Sequence, residues 1–126
     1  MHHAHLLVHK LDQNHTFTLY TSSGEVIAEC QVRHLRPICP CINPEERYEF
    51  NDVEVRKPFR GQNYCSLLLL NAMLFFDQHA DNPERLVFQL YAARRNHAAR
   101  RAYRKVFGPP DGIYKNLVFF TTSRRI

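Results

Sequence analysis

The apolar residues change their spacing part-way along the chain, and that change narrows the folds open to it. In the first half they alternate with polar residues. Phe17 and Leu19 alternate over Thr16 to Tyr20. After Ser22, Ser23 and Gly24, the residues Val26, Ala28, Cys30 and Val32 fall on one side of an extended chain, with Glu29 and Gln31 on the other. A period of two belongs to a half-buried strand, and two such runs around a short Ser-Gly turn predict a hairpin. Leu6 to Val8 and Tyr48 to Val55 add two more strand candidates, and Pro37, Pro40 and Pro44 keep the stretch before the last of these out of a helix.

From about Asn63 the period becomes helical. Leu67 to Leu70 and Met73 to Phe76 make a dense apolar helix ending near His79. It is apolar over more than one face, which predicts burial against a sheet. Leu86 to Ala92 is apolar except for Gln89 and reads as a central strand. Asn96 to Phe107 is a second helix, with Ala99, Ala102, Tyr103 and Val106 on its apolar side; Gly108, Pro109 and Pro110 stop it. Ile113 to Thr122 reads as one last strand. The order β-β-β-β-α-β-α-β predicts an α/β fold, a mixed sheet flanked by helices, with residues 1–126 as one domain.

At 126 residues with 44% hydrophobic side chains, the chain is neither disordered nor collagen-like. Its longest apolar run, Leu67 to Leu70, is far short of a membrane-spanning helix. Met1 to His5 are followed by only three apolar residues, which does not read as a signal peptide, so an intracellular, cytoplasmic setting is expected. Cys30, Cys39, Cys41 and Cys65 then read as reduced thiols. Cys39 and Cys41 have one residue between them where zinc sites usually place two or more, and no metal is expected. His2, His3 and His5 read as a frayed polar start. Seventeen Lys and Arg against 12 Asp and Glu give a net charge of +5, which favours an anionic ligand without naming one.

Two stretches carry chemistry. Val53 to Ser66 joins a strand end to the first turn of the long helix, where unpaired N–H groups and the helix dipole hold phosphate. Arg60 adds charge, and Gly61 lets the backbone turn closely. An ordinary strand–turn–helix joint explains this stretch equally well. In the second stretch, Asn96 opens a helix and Tyr103 follows seven residues later on its apolar face, where a packed core tyrosine is the commoner role.

Together these stretches resemble the GNAT superfamily, the acyl-CoA-dependent N-acetyltransferases. The first signature, V-x-P-x-x-R-G-x-G-x-G/A-x-x-L-L, is met by Val55, Pro58, Arg60, Gly61, Leu68 and Leu69, with the proline one position late and with Asn63 and Cys65 in place of the later small residues. The second, N-x-x-A-x-x-x-Y-x-K-x-G-F, is met by Asn96, Ala99, Tyr103 and Lys105, with Phe107 and Gly108 inverting its final pair.

The resemblance implies a mostly antiparallel sheet whose fourth and fifth strands part to admit acetyl-CoA, the acyl donor. Val53, Glu54 and Val55 would bond the pantetheine arm, and Asn96 would contact it too. Arg60, Gly61, Gln62, Asn63, Tyr64, Cys65 and Ser66 would wrap the pyrophosphate. Tyr103 would protonate the departing thiolate, and Glu49, eleven residues before Arg60, would serve as base, with Glu54 as the competing carboxylate. Transfer to the amine is direct, so Cys65 need not be a nucleophile. Strict alternation puts Glu49 on one strand face with Asn51 and Val53, unless a bulge intervenes.

Only Lys10 to His15 separates the first two strands, so the two helices that family members usually carry there are reduced or absent, and the last strand falls short of the usual hairpin. The acceptor side would then be open, or completed by a partner chain such as a second copy, and would suit a peptide or protein amine better than a polycation. Two other readings stand beside the enzyme. One is a degenerate GNAT scaffold used for binding or structure. The other is a nucleic-acid module using His97, Arg100, Arg101, Arg104 and Lys105 with Arg94 and Arg95, a basic stripe that is more often a solvated face.

Overall fold

The computed structural model describes residues 4–36 and 45–122. The first three strands, β1 (Ala4–Leu11), β2 (Asn14–Thr21) and β3 (Val26–Leu35), form a meander, followed by β4 (Glu46–Val55). Then come α1 (Tyr64–His79), β5 (Leu86–Ala93), α2 (His97–Phe107) and a short hairpin of β6 (Gly112–Tyr114) and β7 (Leu117–Thr121). All seven strands join one sheet in the order β1-β2-β3-β4-β5-β7-β6. Every neighbouring pair is antiparallel except β4 with β5.

The core lies on one face of this sheet. Phe17, Cys30, Val32, Phe50, Phe88 and Phe120 project from the strands into one buried cluster with Leu68, Leu69 and Phe76 of α1 and Tyr103 and Val106 of α2. Phe76 is its hub, with ring centroids 4.3 Å from Tyr48, 5.6 Å from Phe17 and 5.8 Å from Phe88. The opposite face carries polar side chains such as Thr18, Gln31, Arg33 and Glu49, with no helix over it among the described residues. The turn at Asp12 and Gln13 takes β1 directly into β2, so the helices missing from the sequence at this point are also missing from the fold.

The alternation in β2 and β3 matches the burial: Phe17, Leu19, Ala28, Cys30 and Val32 are all buried. Three expectations need correction. The last segment is two strands rather than one, because Lys115 adopts φ 55° and reverses the chain at a turn that contains no glycine or proline. The helix α1 buries one face only. Leu68, Leu69, Ala72, Met73 and Phe76 are covered, while Leu67, Leu70 and Leu74 stay exposed, since a helix against a single sheet presents its far side to solvent. His5 is not frayed; it lies in β1, stacks on Tyr20 at 5.4 Å and bonds Ser22.

His15 sits at the rim of the aromatic cluster, 4.9 Å from Phe76. Burial lowers its pKa below 6.5, helped by Lys10 and His34. The native state resists a proton that the unfolded chain accepts, so this contribution to stability is complete above about pH 6.5 and is lost as the pH falls below it. We expect the urea midpoint to drop between about pH 7.5 and about pH 5.5, and His15→Leu to reduce that drop. An unchanged drop in the variant would assign it to other groups.

Candidate functional site

The ladder between β4 and β5 runs from Glu46 opposite Leu86 to Glu49 opposite Gln89 and stops there. Beyond it, β4 continues along β3 to Val55, and β5 continues along β7 to Ala93. The two strands diverge and leave a wedge open between them. A bulge shapes its β4 wall. The β3–β4 register shifts between Glu29 and Gln31, and Asp52 opposite adopts φ 52°. The inserted residue turns Val53 and Val55 toward the core and leaves Asp52 and Glu54 exposed. Strict alternation therefore fails here: Val53 does not share a face with Glu49 and Asn51.

The loop after β4 is held at both ends. The Arg56 N–H donates to the Ile27 carbonyl at 2.8 Å, and Phe59 is buried as an anchor. Arg60 Nε donates to the Val55 carbonyl at 3.0 Å. Gly61 has φ 78° and Asn63 has φ 65°, both left-handed. Nothing lies within 4 Å of where a Gly61 Cβ would stand, so backbone conformation rather than space calls for glycine there. Asn63 gives α1 no side-chain cap; its Oδ1 instead accepts from Lys105 Nζ of α2 at 2.9 Å. Among the described residues, no acceptor meets the N–H groups of Gly61 through Ser66. Several unpaired donors at the positive end of a 16-residue helix make an arrangement, a cradle, that can hold an anion.

Tyr103 is 6% exposed and packs edge-on against Phe120 at 5.9 Å. Burial raises its pKa well above 10, with Cys65 and Cys30 nearby adding to the shift, and no hydrogen bond occupies its hydroxyl among the described residues. Burial also pushes the Cys65 thiol up to about 11. Both groups are therefore neutral near pH 7, and Cys65 is a poor nucleophile.

The chain matches the acetyltransferase (GNAT) family over residues 2–108. It belongs to that family. Solved GNAT-fold structures are similar to it at low identity. The PaiA N-acetyltransferase from Thermoplasma acidophilum, solved with coenzyme A, is 14% identical with a TM-score of 0.65, over 86% of this chain and 60% of that one. A putative acyl-CoA N-acyltransferase from Klebsiella pneumoniae is 16% identical, TM-score 0.63, over 86% and 71%. A spermidine N-acetyltransferase from Vibrio cholerae, solved with CoA and spermine, is 12% identical, TM-score 0.61, over 90% and 68%. This GNAT chain thus spans about 60% of the length of the Thermoplasma protein. No curated protein matches it by sequence. Among the described residues, no helix is long and apolar enough to cross a membrane.

The structure gathers most of the motif residues around the wedge, though not all in the expected state. Arg60 to Ser66 form the cradle at the head of α1, and Tyr103 lies near Cys65. Asn96 caps α2, with Oδ1 accepting from the Ala99 N–H at 3.1 Å, so only its amide nitrogen is left for a ligand. Glu49 stands where the β4–β5 ladder ends. Its carboxylate is bound by Arg33 at 2.9 Å and faces Gln89 Nε2 at 3.4 Å. Glu54 is held by Arg56, which also reaches Glu29 at 3.4 Å. Sequence reasoning missed the Arg33–Glu49–Gln89 group; the one polar residue in the Leu86 to Ala92 run was its visible sign. Cys39 and Cys41 lie outside the described residues.

The left-handed backbone at Asn63 yields a prediction. Asn63→Ala should destabilise the fold by about 1 kcal/mol, and Asn63→Gly should not, because only the alanine is strained at that φ. Equal thermal shifts for the two variants would show that the Lys105 bond, lost in both, outweighs the backbone strain.

Proposed function

We propose that this GNAT-family chain transfers an acetyl group from acetyl-CoA directly to an amine. The observation behind this reading is the combination of a four-residue parallel ladder that opens into a wedge and a cradle of unpaired N–H groups at its mouth. An extended arm with a diphosphate at one end suits both parts. Gly61 through Ser66 would hold the pyrophosphate, with Arg60 closing the loop on Val55 and Lys105 steadying Asn63. The unpaired β5-facing edge of β4, from Asn51 to Val55, would bond the pantetheine amides. The Asn96 amide nitrogen would meet the same arm from α2.

Acetyl-CoA supplies a thioester whose carbonyl carbon accepts the amine; the carbon–sulfur bond breaks and the sulfur needs a proton. Tyr103 holds one. Its raised pKa keeps the phenol protonated, and the surroundings that push Cys65 up to about 11 also disfavour a bare thiolate beside it. Proton donation to the sulfur is therefore favoured where an anion would be poorly solvated. Glu49, paired with Arg33 at 2.9 Å on the uncovered sheet face, would take the proton from the incoming amine. With no helices between β1 and β2, that face is open enough for a peptide or protein amine.

Calorimetry with acetyl-CoA and a thiol-release assay test this reading. We expect micromolar binding that Arg60→Ala weakens. Tyr103→Phe should cut turnover by about 10²-fold or more with little change in acetyl-CoA affinity, the usual effect of losing a general acid. No binding at millimolar acetyl-CoA would mean that Asn63 and Cys65 have closed the cradle and that the scaffold serves binding alone.

A further inference from the structure

Gln89 breaks the pattern of its strand. It is the one polar residue between Leu86 and Ala92, and it is buried, with 7% of its surface exposed. A buried amide costs stability unless both its ends find partners. Here both do. Oε1 accepts from Arg47 Nη1 at 2.8 Å, and Nε2 donates to Glu49 Oε1 at 3.4 Å. An apolar side chain at this place would leave Arg47 Nη1 without that acceptor and Glu49 Oε1 without that donor.

The direction of the amide is fixed by chemistry. A guanidinium only donates, so the end of Gln89 beside Arg47 is its oxygen, and the nitrogen is turned to Glu49. Arg47 is held in turn, its Nη2 donating to Glu45 Oε2 at 2.9 Å. Strand register supplies the rest. Arg33 of β3 stands opposite Glu49, and Glu49 stands opposite Gln89 in the last pair of the parallel ladder. Glu49 therefore has one donor on each oxygen, Arg33 on Oε2 from one side and Gln89 on Oε1 from the other. A carboxylate oxygen accepts two hydrogen bonds, so each keeps a lone pair for a proton.

The two donors differ in grip. The Arg33 side chain is 55% exposed, and an exposed ion pair holds its partner loosely. Gln89 is buried, uncharged and anchored by Arg47, so it sets the direction of the carboxylate. At 3.4 Å its bond to Glu49 is long, as such contacts often are before substrate binds.

We propose that Gln89 is a positioning residue for the transfer: through Nε2 it aims the Glu49 carboxylate at the place where β4 and β5 part, and Arg47 aims Gln89. The inference rests on the reading of Glu49 as the base. Gln89 itself need not touch the amine. Misplacing a reacting group by about 1 Å can cost about 10²-fold in rate, so a fixed carboxylate matters more than a merely nearby one. A purely structural Gln89 would serve Arg47 alone.

Thiol release from acetyl-CoA tests the proposal, with a pool of random peptides bearing free N-termini and lysines as acceptor. Gln89→Met keeps the size of the side chain and loses both bonds. It should lower kcat about tenfold and leave the KM for acetyl-CoA unchanged. In a Glu49→Gln background the same change should cost nothing further, because positioning acts only through Glu49. Gln89→Glu keeps an acceptor for Arg47 but loses the donor to Glu49, and it too should lower kcat about tenfold. An equal loss from Gln89→Met in both backgrounds would show a structural role and overturn the proposal. An unchanged kcat in Gln89→Glu would overturn it as well. Either result leaves the acetyltransferase reading intact. A parent chain that binds acetyl-CoA but releases no thiol with the pool would instead remove the base reading of Glu49, and this inference with it.

Discussion

The parallel pairing of β4 with β5 ends at Glu49 and Gln89, while β4 keeps β3 along its other edge to Val55 and β5 keeps β7 along its other edge to Ala93. Each strand stays fixed in the sheet through that second edge, and the backbone groups that face the gap are left open to a ligand. The wedge follows from that one-sided loss of pairing. The bulge at Asp52 makes its wall usable by rotating Val53 and Val55 into the core and leaving Glu54 outside. Phe50, next to the last ladder residue of β4, packs 6.0 Å from Phe88 and 6.4 Å from Phe107.

The two helices are tied to the same feature. The loop that leaves β4 enters α1 through two left-handed residues, Gly61 and Asn63, and so leaves a row of N–H groups unspent. Lys105 links that loop to α2, and α2 carries Tyr103 toward Cys65 at the head of α1. The loop with its unpaired N–H groups, the gap between β4 and β5 and the protonated Tyr103 phenol are thus coupled through few contacts. The absence of helices between β1 and β2 leaves the other face of the sheet uncovered, with Arg33, Glu49 and Gln89 as a hydrogen-bonded polar group at the apex of the wedge.

Asn63 shows why a departure from the family pattern need not abolish a site. Glycine is the usual residue where φ is positive, and asparagine is the side chain that replaces it at least cost. At Asn63 the left-handed conformation is kept, and the side chain gains a partner that glycine could not have had. Cys65 is the other case: a small, buried thiol at the first turn of α1, held neutral by its surroundings.

The sequence by itself determined the elements and most of the core. Alternation at Phe17, Leu19, Ala28, Cys30 and Val32 and helical spacing at Ala99, Tyr103 and Val106 are local patterns, and burial follows them directly. It also determined the family, because Arg60, Gly61, Asn96 and Tyr103 stand at fixed separations along the chain. Tertiary structure alone decided at which residues β4 and β5 would part, where β4 would bulge, and that Lys115 would fold the last segment into a hairpin. It decided that Leu67, Leu70 and Leu74 stay in solvent and that Arg33 and Gln89 meet at Glu49. These outcomes depend on contacts between residues distant in sequence, and no local period records what the far side of a helix or the edge of a strand will meet.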